Sequence, residues 1–149
     1  MTDKLEDEGD RRFAATMTAF LNTELVRRLR ESLLFQRVVN LTETPFTLAP
    51  GEKVLRLKGG ITRLGRGSQT ARYFAGIFGA GQKQAQADMR LLKAANGHAL
   101  MVVADRRIAS IGLFGGAGRD HPRESFDDMA HDLAKFLKRL AGGAVPRKE

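Results

Sequence analysis

From Arg11 to Leu34 the apolar residues recur at three- and four-residue steps. Phe13, Met17, Phe20, Leu21, Leu25, Leu29 and Leu33 make one stripe, while Asn22, Arg27, Arg30 and Glu31 populate other faces. That spacing predicts a helix, uninterrupted by Gly or Pro. A second and clearer stripe runs from Pro122 to Leu140 through Phe126, Met129, Ala130, Leu133, Phe136, Leu137 and Leu140. Pro122 suits a first helical turn, Asp120 is placed to cap it, and Gly142-Gly143 ends it. Glu124, Asp127 and Asp128 fall near the positive end of that helix, and Lys135, Lys138 and Arg139 near the negative end.

Between the helices the period changes to two. Phe35–Leu41 is short and β-branched and predicts a strand, before Pro45, Pro50 and Gly51 punctuate a loop. Lys53–Leu64 predicts a strand with Leu55, Leu57, Gly59 and Ile61 on one face and Arg56, Lys58 and Thr62 on the other. The Gly59-Gly60 pair inside it implies a bulge or a close backbone approach. Gln84–Leu92 alternates Ala85, Ala87, Met89 and Leu91 against Gln84, Gln86, Asp88 and Arg90. Asn96-Gly97 then turns the chain into a return strand, Ala99–Ile111. A two-residue turn would set Asp88 opposite Asp105, an unfavourable like-charge pair. A longer loop with Lys93 opposite His98 sets Asp105 opposite Gln86 and is preferred.

These elements predict an α+β fold. The N- and C-terminal helices are expected on one face of a mostly antiparallel sheet of about three to five strands. Residues 1–10 are expected to be a disordered acidic lead-in, 11–141 a single domain, and 142–149 a disordered tail. The lead-in lacks the basic and apolar regions of a signal peptide. Taken alone, it places the chain in the cytoplasm.

Composition sharpens the picture mainly through charge. The 149 residues carry 25 Lys+Arg against 17 Asp+Glu, a net charge of +8. The whole excess lies in residues 51–119, with 12 basic and 3 acidic side chains. Such a segment attracts anions: phospholipid headgroups, nucleic acid or an acidic partner. No cysteine is present, so disulfides, thiolate metal sites and a cysteine nucleophile are excluded.

Glycine and phenylalanine cluster in Arg72–Gly81 (RYFAGIFGAG) and Ile111–Gly118 (IGLFGGAG). The hairpin register brings the two segments together, Phe78 opposite Leu113 and Ile77 opposite Phe114. Tyr73, Phe74, Ile77, Phe78, Leu113 and Phe114 then form one apolar cluster. Arg63, Arg66, Arg72, Lys83 and Arg119 lie near it as candidate anion-binding residues. Two readings stay open: core aromatics with glycine bulges, or an exposed contact patch with a basic rim.

Other chemistry is poorly represented. In Gly76–Lys83 the lysine does not directly follow the last glycine, no Ser or Thr comes after it, and the segment leads into a strand rather than a helix. It therefore fails as a phosphate loop. His131 lies four residues after Asp127, a spacing that fits a solvated pair better than a metal site, and no third ligand is evident. No nucleophile signature surrounds Ser110 or Ser125. The residues point to a protein that is not an enzyme, with no cofactor, no metal and no small-molecule substrate.

The run Arg72-Tyr73-Phe74-Ala75-Gly76-Ile77-Phe78-Gly79-Ala80-Gly81, with the strand and turn through Asn96-Gly97, resembles the bacterial domain of unknown function 4410. The resemblance covers about Arg56 to Leu140. Gln82 stands where the family often has lysine, with Lys83 one place later. The family leads one to expect a signal peptide, often of the lipoprotein kind, and an opening strand before the first helix. Neither precedes Arg11 here. The resemblance implies a periplasm-facing envelope protein, often membrane-anchored, without known catalytic residues. It also implies a fold similar to small α/β domains of envelope lipoproteins, which often assemble into larger structures. The expected role is thus a non-enzymatic envelope accessory or scaffold domain. It would meet a protein partner, a second copy of itself or an anionic membrane through its basic Gly/Phe-rich sheet end. A cytoplasmic module for polyanions or nucleic acid is the alternative, with nucleic acid the less favoured partner.

Overall fold

The computed structural model describes residues 8–65, 83–109 and 121–143. These form two compact units, Met1–Glu43 with Arg123–Glu149, and Thr44–Pro122. The first is helical. The second is a three-stranded antiparallel sheet in the order β1-β2-β3. The arrangement is α+β, as the hydrophobic pattern predicts.

In the helical unit, α1 spans Glu8–Glu31, beginning and ending three residues before the predicted bounds. Met17, Leu21 and Leu29 of its stripe are buried. Phe13, Phe20 and Leu25 are half-buried. Leu33 falls beyond the helix and is 88% exposed, with a φ of 56°. The helix closes through Ser32, whose N–H donates to the Arg28 carbonyl (3.0 Å) and whose hydroxyl donates to the Leu29 carbonyl (2.7 Å). Leu33 then takes the left-handed position that usually goes to glycine.

The second helix, α2, spans His121–Ala141. Phe126, Met129, Ala130, Leu133, Ala134 and Leu137 are buried, and Phe126 is fully so. The stripe read from the sequence is therefore the buried face, except that Phe136 is half-buried and Leu140 is 49% exposed.

Phe35–Leu41 is not a strand. Side chains take up its backbone groups instead. Arg30 donates to the Val38 carbonyl (3.2 Å). Asn40, buried, accepts on Oδ1 from the Thr42 N–H (3.1 Å), the Thr42 hydroxyl (2.8 Å) and the Asn22 amide (3.1 Å). The Glu43 N–H returns to the Asn40 carbonyl (3.1 Å). This is an Asx-type turn, and it competes with ladder pairing for a segment whose β propensity is otherwise good.

In the sheet unit, β1 is Leu55–Gly65, β2 is Lys83–Lys93 and β3 is Ala99–Ala109. Ala85, Ala87, Met89 and Leu91 are all buried, so one face of β2 is the interior face, as their alternation predicts. Leu57, Gly59 and Ile61 lie opposite Leu91, Met89 and Ala87 and share it. A bulge between Ile61 and Arg63 leaves Thr62 unpaired, and Arg63 takes the outward place predicted for Thr62.

At Gly59 the backbone of β2 leaves no room for a side chain. A Cβ there would sit 2.2 Å from the Asp88 carbonyl oxygen and 2.7 Å from Met89 Cα. The close approach inferred from the glycine pair is real, and it belongs to the first glycine alone, since a Cβ on Gly60 would meet nothing within 4 Å.

The β2–β3 turn follows the longer-loop reading. The Lys93 N–H donates to the His98 carbonyl (2.9 Å), the Gly97 N–H to the Lys93 carbonyl (2.8 Å), and Gly97 has a φ of 70°. The register further along differs from the prediction. Leu92 pairs with Ala99 but Leu91 pairs with Met101, so Leu100 is an extra, bulged residue. Asp105 consequently lies opposite Ala87, not Gln86, on the interior face. There it binds Arg107 through two parallel bonds of 3.0 Å each.

A candidate anion-binding face on the sheet

Register decides which polar residues become neighbours. On the outward face of the sheet, Arg56 lies opposite Leu92, and Leu92 opposite Ala99. The next row is Lys58–Arg90–Val102, then Gly60–Asp88–Ala104, then Arg63–Gln86–Arg106. Neighbouring strands are about 4.8 Å apart and successive same-face residues about 6.7 Å. Five cations therefore share a patch of roughly 10 by 20 Å.

Arg56, Lys58, Arg63, Arg90 and Arg106 are all exposed. Lys58 and Arg90 are directly opposite, a placement that lowers sheet stability unless an anion sits between them. Asp88 is the one acid of this face among the described residues. It is half-buried and accepts from the Gln86 amide (3.0 Å). Arg56, Lys58, Arg63 and Arg90 make no ion pair with any described residue. Among the described residues, the positive charge of these four side chains has no carboxylate partner.

In the helical unit Arg27 and Arg28 are paired with carboxylates. Arg27 bonds Glu24 and reaches Glu31 (3.0 Å), and these carboxylates raise its already high pKa. Arg28 donates to Asp127 (2.9 Å), and this bond holds the Asp127 carboxyl below the usual carboxylate range. Arg27 also reaches Asp127 (3.2 Å), and the Arg123 guanidinium lies 5.5 Å from the centre of the Phe20 ring. A shallow cleft of about 270 Å³ lies between Phe20, Glu24, Arg27, Arg123, Glu124 and Asp127. Arg27 and Asp127 pair across it, which marks it as a helix–helix contact. Asp127 does not serve His131, whose Nδ1 lies 3.4 Å from Asp132. No group of metal-ligating side chains occurs among the described residues.

Of the anion-binding residues expected from sequence, Arg63 stands at the end of the cationic face. Lys83 opens β2, paired with Ala109. Arg66, Arg72 and Arg119 lie outside the described residues, as do Tyr73, Phe74, Ile77, Phe78, Leu113 and Phe114. The face adds Arg56, Lys58, Arg90 and Arg106 as a set. Alternation along β1 and β2 already pointed Arg56, Lys58 and Arg90 outward, whereas Arg106 reached this face only through the bulge at Leu100. Their assembly into rows needed the β1–β2 register, which no short turn specifies.

An α+β domain with a cationic sheet face is thus the class of protein in hand. The chain belongs to the family Domain of unknown function (DUF4410), whose model matches residues 3–112. Among solved structures it is similar to a "putative lipoprotein" from Caulobacter crescentus CB15. The two are 14% identical, the match covers 87% of this chain and 98% of that one, and the TM-score is 0.42. No curated protein matches the chain. No helix among the described residues is long and apolar enough to cross a membrane.

Proposed function

We propose that this is a non-enzymatic accessory or scaffold domain of the bacterial envelope, facing the periplasm and working by contact. Its basic sheet region meets an anionic partner, either a membrane surface or a protein. The observation that carries this reading is the outward face of Arg56, Lys58, Arg63, Arg90 and Arg106, where Lys58 stands directly across from Arg90 and the first four have no carboxylate partner among the described residues. Folding alone gains nothing from that arrangement, whereas binding an anion does.

The test is the location of the natural gene product. A tagged protein at native level is fractionated, and its protease sensitivity compared in intact cells and in spheroplasts. Envelope recovery with cleavage only in spheroplasts is the expected result. A wholly cytosolic protein that co-purifies with nucleic acid would overturn it in favour of a cytoplasmic polyanion-binding module.

A further inference from the structure

We propose that the outward face of the sheet is a docking site for anionic phospholipid headgroups, centred on the row Lys58–Arg90–Val102. This rests on the envelope reading above and names the partner that the face takes.

Charge alone would suit any polyanion. The apolar groups on the same face select among them. Val102 is 67% exposed although it stands directly beside Arg90, and bulged Leu100, two residues earlier, is 47% exposed. Ala99 and Ala104 are also exposed. A bare valine beside a long cationic stem suits a bilayer interface, where phosphates meet the ammonium and guanidinium groups and the apolar tip enters the headgroup layer. A single-stranded nucleic acid would instead call for rings on which bases stack. None of the three strands contains an aromatic residue. Asp88, held by Gln86, keeps a fixed acceptor at the centre and limits how many phosphates the face can take.

The experiment is co-sedimentation of the full chain with phosphatidylglycerol-containing and pure phosphatidylcholine vesicles, at about 0.02 M and about 0.15 M salt. The wild type is expected to bind the anionic vesicles at both salt levels and the neutral ones at neither. Each cation near such a surface is worth roughly fivefold in partitioning, so Lys58→Gln with Arg90→Gln should weaken binding about 25-fold. Val102→Ser should weaken it by roughly fivefold without changing its salt dependence. Lys135→Gln with Lys138→Gln removes the same charge from exposed positions of α2 and should leave binding within about twofold. No variant should lower the thermal transition, since every substituted side chain is exposed, and the Lys58/Arg90 double variant, which relieves the like-charge pair, should match or slightly exceed the wild type.

Equal loss in the two double variants would mean that net charge binds, and would overturn the site. So would wild-type binding by the Lys58/Arg90 variant, or an unaltered Val102→Ser. Tighter binding to a short oligothymidine than to vesicles would overturn the lipid assignment in favour of nucleic acid. Envelope location without vesicle binding would overturn this proposal and leave the accessory reading standing. Cytosolic location would remove that reading itself.

Discussion

Gly59→Ala is the substitution on which the packing of this sheet can be tested most directly. The added Cβ would lie 2.2 Å from the Asp88 carbonyl oxygen, 2.7 Å from Met89 Cα and 3.0 Å from the Asp88 carbonyl carbon. All three are backbone atoms of β2, so no side chain can swing aside. Ordinary carbon–oxygen contacts between strands begin near about 3.3 Å, so β1 must withdraw by roughly 1 Å at its centre. Overpacking of this kind costs about 1–3 kcal/mol. Alanine returns about 0.4–1 kcal/mol by restricting the unfolded chain. The net expectation is a loss of about 1.3 kcal/mol, or roughly 3–5 °C in Tm for a chain of this size. Gly60→Ala is the matched control. It meets no atom within 4 Å and has no positive φ, so it should be neutral or stabilise by up to about 1 kcal/mol. Thermal and urea unfolding of both variants give the comparison. A Gly59→Ala protein as stable as Gly60→Ala would refute the close approach, and with it the β1–β2 register that aligns the cationic rows.

Other expectations concern the helical unit. Asn40→Ala removes the acceptor of three hydrogen bonds and should destabilise by about 2 kcal/mol in urea unfolding, while Asn40→Asp, which keeps that oxygen, should lose much less. Leu33→Gly should raise stability by about 0.5–1 kcal/mol, because an exposed leucine with a φ of 56° gives way to the residue that suits it. Asp127 is depressed by Arg28, so its stabilisation is complete above the ordinary carboxylate pKa near about 4 and is lost as pH falls through the lower folded value. Asp127→Asn should therefore cost about 0.5–1 kcal/mol at neutral pH, with the difference from wild type closing in acid unfolding curves.

The sequence was a good guide where a single periodicity acts alone. The apolar stripe of Phe126, Met129, Leu133 and Leu137 became the buried face of α2, and Ala85, Ala87, Met89 and Leu91 became the interior face of β2. It was a poor guide where side chains compete with the backbone. The Val38–Val39 segment has β-forming residues, yet Arg30 and Asn40 capture its carbonyl and turn groups. It was also blind to single-residue offsets. Like-charge avoidance between Asp88 and Asp105 correctly favoured the Lys93–His98 closure, but the bulge at Leu100 moved Asp105 one place on, to Ala87. The cationic face lay half in view. Arg56, Lys58 and Arg90 were each outward-facing, but only the pairing of β1 with β2 made Lys58 and Arg90 neighbours.

The bulge at Leu100 bears on how this domain tolerates changes in length. Because Leu100 has no partner on β2, its deletion would leave Leu92 with Ala99 and Leu91 with the residue that is now Met101. Every row from Val102 to Ile108 would keep its side of the sheet. A deletion of one residue between Met101 and Ala109 would instead exchange the two sides beyond that point, sending Arg106 inward and Asp105 or Arg107 outward. Relatives that differ by one residue in this hairpin can therefore share an identical outward surface if the change falls at the bulge. Sequence alignments that place such a gap even two positions later would assign the wrong residues to that surface.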